Sequence, residues 1–248
     1  MSDESLLDMG WHPPAGVHAA FTTRLGGVSS TPWDSFNLAT HVGDSPQSVA
    51  TNRALLREKL GLSIDPAWLN QVHGIDVVNL DAAHTCASPF TADASFTRTA
   101  NRVCVIMVAD CLPVLFASRD GQTIGAAHAG WRGLASGVLE NTVSVMGVPP
   151  DDLVVWLGPA ISQEHFEVGD EVREAFVKAD AEAASLFAPN SRGRWQADLT
   201  GLARRRLAAL GVNDVSGGKW CTFADRERFY SHRRDGKGGR LAAIIWKA

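Results

Sequence analysis

The stretch RVCVIMVADCLPVLFAS occupies residues 102–118, and its reading decides the fold. Residues 102–109 and 113–118 are apolar and rich in β-branched side chains, the mark of short buried strands. Between them stand Asp110 and Cys111, and the second stretch opens on Pro113. A buried strand gains from Val, Ile and Leu; it gains little from a carboxylate followed by a thiol. Either Cys111 is a small apolar filler, or a strand ends here so that a thiolate can do chemistry.

Further strands are expected at 17–21, 75–80, 123–128, 153–158 and 241–246, all short and apolar. Residues 22–33, TTRLGGVSSTPW, read as a loop. A helix is expected over 46–60, with Val49, Leu55, Leu56 and Leu60 on its apolar positions and Gly61 as its stop. Three more are expected over 131–147, 170–187 and 198–211, the last two opened by an Asp able to accept free N–H bonds. Strands and helices mix, and several strands follow one another near the centre. That pattern predicts an α+β fold: a single domain over 1–248 with a mixed β-sheet and flanking helices.

The totals set limits. The chain has 248 residues, 45% of them hydrophobic and 20% charged, enough for a sizeable core. Its net charge of −4 argues against a nucleic-acid binder, which needs a basic stripe to neutralise phosphates. The start, MSDESLLDMG, is acidic and lacks the pattern of a signal peptide, and VCVIMVA is too short to span a bilayer. The expectation is a cytoplasmic protein with no membrane partner. Cys86, Cys104, Cys111 and Cys221 form no CxxC pair, so reduced thiols are expected. No dinucleotide-binding, P-loop or nucleophile-elbow motif is present. The sequence leaves the oligomeric state open.

Three side chains carry the chemistry. His73 precedes a glycine, Cys111 stands just before Pro113, and His128 leads into Ala-Gly. Each lies where a strand can deliver a side chain into a cleft. Two imidazoles and a thiolate suit Zn²⁺ and leave a fourth position open. The same residues also fit a core cysteine with two hydrogen-bonded histidines, and their wide separation along the chain leaves the choice to the tertiary fold.

The segments FTTRLGGVS, NLATHVGD, WLNQVHG, ADCLPVLF, AAHAGWRG, GPAI and FEVGDEV, with NR at 52–53 and CT at 221–222, occur in family order. Together they resemble the bacterial YfiH-like family, also called the laccase-domain or polyphenol oxidase family, from about Phe21 to Trp246. The resemblance implies a zinc ion bound by His73, Cys111 and His128. It implies a single-domain mixed-sheet fold similar to that of a toxin deamidase with a Cys–His pair. It further implies phosphorolysis of purine nucleosides such as adenosine and inosine, cleavage of methylthioadenosine and deamination of adenosine. Alternatives are a cysteine-type amidase acting on peptidoglycan precursors, with Cys111 as nucleophile, and a copper-linked polyphenol oxidase. Copper is a second candidate ion, because Cu²⁺ outcompetes Zn²⁺ at N/S donors. A multicopper centre fits poorly with eight histidines and no His-x-His.

Phosphorolysis needs an anion site, and arginine suits phosphate through its planar fork. Candidates are Arg24, Arg53, Arg132 and Arg233; Arg53 and Arg132 are preferred because each lies in a family motif. Arg204, Arg205 and Arg206 read as helix-face charges. Deamination needs a proton carrier that is not a metal ligand. Asp110 and Asp93 are the candidates, Asp110 only if a turn spares it the opposite pointing of neighbours in a strand. Asn37 and Gln71 can bind substrate through their amides, and Trp131 and Phe36 can stack on a purine. His41 reads as a loop brace; His12, His18, His84 and His165 carry no pattern. His232 and Gly238 stand where the family often has an aromatic residue and Thr, which bears on substrate preference.

Overall fold

At Val108 the chain leaves one β-sheet, and at Leu112 it enters another. The computed structural model describes residues 4–82 and 89–247; His84 and Cys86 lie outside them. In chain order the principal strands are β1 (Val17–Phe21), β2 (Val77–Asn79), β3 (Ala94–Thr97), β4 (Val103–Val108), β5 (Leu112–Ser118), β6 (Ile124–Ala129), β7 (Leu153–Leu157), β8 (Asp214–Gly217) and β9 (Leu241–Lys247). The helices are α1 (Pro46–Lys59), α2 (Trp131–Ser136), α3 (Val138–Met146), α4 (Asp170–Val177), α5 (Leu199–Ala209) and α6 (His232–Asp235). Three strands form a small sheet in the order β1-β9-β4, all antiparallel. Six form the larger mixed sheet in the order β8-β7-β5-β6-β3-β2.

The alternation of side chains along β5 explains why its apolar run is unbroken. Leu115 and Ala117 point to one face and pack with Ile106, Val108, Ala243 and Ile245 of the small sheet. Val114 and Phe116 point to the other and pack with Leu139 and Val143 of α3 and Leu202 of α5. The free face of the small sheet, with Val103, Val105 and Ile244, is covered by Leu56 of α1. The layers therefore run helix, sheet, sheet, helix. A strand covered on both faces has no polar side to display.

Two expected helices are shorter than their sequence pattern. Residues 131–147 divide at Gly137, whose φ of 102° closes α2 in the left-handed region and opens α3. Over 170–187, α4 stops at Val177. Asp180 then takes an extended conformation and its side chain accepts Glu182 N–H, starting a 3-10 turn over Ala181–Leu186. Local side-chain bonds of this kind compete with the helix. Phe187–Pro189 follows as a strand paired with Trp195–Ala197, which also pairs with Glu167–Val168. Of the two expected caps, Asp198 accepts Gly201 N–H and opens α5. Asp170 does not cap: Gly169 is the N-cap, and Asp170 Oδ1 accepts the indole N–H of Trp195 at 2.7 Å.

Candidate metal centre and its cleft

The antiparallel register of β5 and β6 pairs Pro113 with His128. Cys111, two residues before Pro113, therefore leaves β5 at the same sheet end where His128 leaves β6. The turn that releases Cys111 places Asp110 at φ 88°, so it is not part of an extended segment. His73 comes from the loop after Leu69–Asn70 and itself has φ 61°. One donor atom from each of His73, Cys111 and His128 lies within 4.8 Å of the others. His73 Nε2 stands 3.8 Å from Cys111 Sγ, and the two imidazole rings meet edge to face at 4.8 Å. Among the described residues this is the only such group of three His, Cys, Asp or Glu side chains arranged for a metal.

Asp93 organises the cluster from behind. It sits just before β3, wholly buried. Its Oδ1 accepts the His73 N–H at 2.9 Å and lies 2.8 Å from His128 Nδ1; its Oδ2 accepts the N–H groups of Val72 and Gly74 at 3.0 and 2.7 Å. One carboxylate thus ties the His73 loop to the His128 ring. With Nδ1–H donated to Asp93, His128 presents Nε2 as its free donor, the usual arrangement behind a zinc-bound histidine.

Gly130 supplies room. A Cβ there would stand 2.8 Å from His73 Cδ2 and 3.0 Å from Cys111 Sγ. Gly130→Ala is expected to push both candidate ligands apart and weaken metal binding about tenfold to a hundredfold. Competition against a chelator of known affinity measures this; an unchanged affinity would mean the ligands are not crowded as described.

The cysteines differ sharply in electrostatics. Burial raises the Cys104 thiol to about 12, making it an inert core residue. Burial also works to raise Cys111, but the charge and hydrogen bond of His128, then those of His73, pull it down to about 6. Burial works to lower His128, yet the thiolate and Asp93 raise it above the usual imidazole range. The donor set fits a thiophilic divalent cation: two imidazole nitrogens, one readily formed thiolate and a carboxylate behind.

The cluster lies in a cleft of about 360 Å³ lined by His41, Gln71, Met107, Val108, Ala109, Arg132, His232 and Arg240 as well as the three ligands. Its size suits a small molecule. Among the described residues no carboxylate lines it, while two arginines and four histidines do.

Several expected binding groups are engaged elsewhere. Asp110, proposed as proton carrier, accepts Thr222 Oγ1 at 2.6 Å, Ser231 Oγ at 3.0 Å and Arg233 N–H at 2.7 Å, so both oxygens are occupied. Arg53 does not line the cleft; it donates to Leu38 O at 2.9 Å and lies 3.8 Å above the Trp68 ring. Asn37 is fully buried and spends its amide on Ala39, Asp44 and Arg240 N–H. Gln71 lines the cleft, but its amide bonds both backbone groups of Met107 like an added strand. Arg24 pairs with Asp34, and Arg233 donates to Glu167 O. Phe36 is wholly buried core, and Trp131 packs against the core beneath Arg132. Conversely, His41 lies in the cleft wall. Asp93, expected as a proton carrier, is instead the brace behind the cluster; Gly130 and Arg240 were not singled out from sequence, and ending the DGKGGR segment was the only signal of Arg240.

Comparison with known proteins identifies the family. The family model described as multi-copper polyphenol oxidoreductase laccase matches residues 18–248. A purine nucleoside phosphorylase of Pseudomonas aeruginosa is 54% identical over 95% of this chain and 96% of its own. The Escherichia coli purine nucleoside phosphorylase YfiH is 49% identical over the same shares. A crystal structure of a Neisseria meningitidis protein superposes with a TM-score of 0.93 at 47% identity, covering 98% of this chain and 99% of that one. With relatives alike from end to end and a fold shared with them, the chain belongs to the multi-copper polyphenol oxidoreductase laccase family, that of the YfiH proteins.

Proposed function

We propose that this chain is a cytoplasmic, zinc-dependent purine nucleoside phosphorylase acting on adenosine and inosine. The same cleft would cleave methylthioadenosine and deaminate adenosine. The observation that carries the reading is a single three-donor metal cluster beside a cationic wall without a carboxylate. Relatives named purine nucleoside phosphorylase support it. Among the described residues no helix is long and apolar enough to cross a membrane.

Zinc, when bound, supplies a fixed positive charge and Lewis acidity at one end of the cleft. The protein does the rest. Asp93 fixes the His128 ring, and Gly130 lets the ligands close up. The Arg132 side chain lies over the Trp131 ring and makes no hydrogen bond or ion pair with another described residue, so its N–H donors are open to an anion. In phosphorolysis a phosphate oxygen attacks C1′ of the ribose, the C1′–N9 bond breaks, and its electrons leave with the purine. In deamination water adds at C6 and ammonia departs. With Asp110 and Asp93 both committed, His41 and His232 are the groups in the wall that can carry the proton.

A second reading rests on a specific contact. Asp93, His128 and Cys111 form a carboxylate–imidazole–thiol chain, the arrangement of a cysteine hydrolase. One experiment separates the two. The zinc-loaded protein is given adenosine, inosine or methylthioadenosine in phosphate buffer. The proposal expects free base and the pentose 1-phosphate, with Cys111 shielded from alkylation by the ion. Zinc-replete protein with no turnover of the three would overturn it, and an acyl group captured on Cys111 would favour the hydrolase.

A further inference from the structure

We infer that Arg240, seated by Asn37 and flanked in the cleft wall by His41, is the group that binds the phosphate co-substrate. This rests on the phosphorolysis reading and assigns its anion subsite. Arg240 directly precedes β9, whose Leu241 pairs with Val108 at the end of β4. That register brings Arg240 beside the Val108–Ala109 wall of the cleft. Its backbone is pinned from both sides: its N–H donates to Asn37 Oδ1 at 3.0 Å, and its carbonyl accepts Leu38 N–H. The preceding Gly239 passes so close to Tyr230 and Asn37 that a Cβ would stand 2.6 Å from Tyr230 Cζ and 2.9 Å from Asn37 Cβ. The segment is thus built to bring this one side chain to the cleft.

The guanidinium itself is under-used. Nη1 donates to the Gly238 and Gly239 carbonyls, at 3.2 and 3.0 Å, which holds the plane in place. Nε and Nη2 have no hydrogen-bond partner among the described residues, and no carboxylate there pairs with the group. These donors are also not sealed away from solvent. A half-buried guanidinium with a fixed plane and two free donor atoms matches the fork that takes two phosphate oxygens. The local field points the same way. His41 is held below the ordinary imidazole range by burial, then by the positive charges of Arg240 and Arg53. Cys111 and Asp110 act on Arg240 through space without bonding to it, so a bound dianion would be its one direct anionic partner.

The test is the phosphate dependence of phosphorolysis by the zinc-loaded wild type, Arg240→Met and Arg240→Lys. Loss of one charged hydrogen-bonding group is expected to raise the phosphate KM of Arg240→Met at least about tenfold. The nucleoside KM should move much less, and the lysine variant should recover part of the loss. A phosphate KM equal to that of the wild type, or both KM values rising together, would overturn the assignment. A second measurement needs no variant. Phenylglyoxal should label Arg240 in the wild type, and inorganic phosphate should slow that labelling. Labelling indifferent to phosphate would sink the subsite. If the wild type binds phosphate at Arg240 yet cleaves no nucleoside, the phosphorolysis reading fails and the anion site stands.

Discussion

Cys111→Ala is expected to strip the cleft of its metal and lower kcat/KM for nucleoside cleavage about a thousandfold, equal to about 4 kcal/mol of transition-state stabilisation. The reason is the donor count. Three protein ligands are the minimum of an open catalytic zinc site, and among the described residues no fourth His, Cys, Asp or Glu donor joins the cluster. The thiol is also the group most prepared for a cation, since two imidazoles already favour its thiolate. Folding should change little, because Cys111 lies at a strand end and is only half-buried. Metal content by mass spectrometry, read beside the melting temperature, checks this. A variant that keeps its zinc and its rate would remove Cys111 from the site.

Asp93→Asn is expected to be the costliest change to the fold near the site. Asp93 has no solvent contact and serves three backbone N–H groups and His128. An amide in its place turns two N–H bonds against N–H donors and removes the charge facing His128. Breaking a buried charged network of this kind costs about 3–5 kcal/mol, and loosening a metal-bound histidine from behind costs about tenfold to a hundredfold in metal affinity. Burial works to raise the Asp93 carboxyl, but His128 and the N–H groups of Gly74 and Val72 hold it below the ordinary value. The sign follows. The carboxylate's contribution is complete above the unfolded titration near pH 4 and is lost as pH falls through the lower native value. Urea unfolding of metal-free wild type and variant at neutral pH measures the difference. A change under about 0.5 kcal/mol, within the range of an ordinary surface substitution, would mean that Asp93 does not hold the loop.

The parts of the fold that could be read from the sequence are those whose burial is two-sided. β4, β5 and β6 lie between layers, so their apolar runs are continuous and their ends abrupt. β3 was missed because it reads Ala-Ser-Phe-Thr, with no apolar run, although all four residues are buried between β6 and β2. The helix over 170–187 was overextended because apolar spacing continues past Val177, and only Asp180 marks the restart. At the site, the three donors stood out at the edges of apolar segments, but it was the family resemblance that joined them into one ligand set. The supporting roles were not legible. Asp93 stands out in sequence only as a proton-carrier candidate; its bracing role appears once four donors surround it. Gly130 gains meaning only from the closeness of two ligands that come from other segments. Arg53 and Arg240 are both arginines in motifs; what separates them is place, since Arg53 lies over Trp68 and bonds Leu38 outside the cleft, whereas Arg240 lines it. Asn37 likewise reaches the cleft only indirectly, by holding the backbone of Arg240.

The activity proposed for the cleft depends on one ion shared by His73, Cys111 and His128. X-ray absorption at the zinc edge of the metal-loaded protein tests that most directly. The predicted spectrum has one sulfur at about 2.3 Å and nitrogen scatterers at about 2.0–2.1 Å showing imidazole rings. A zinc shell without sulfur would place the ion elsewhere and contradict the account.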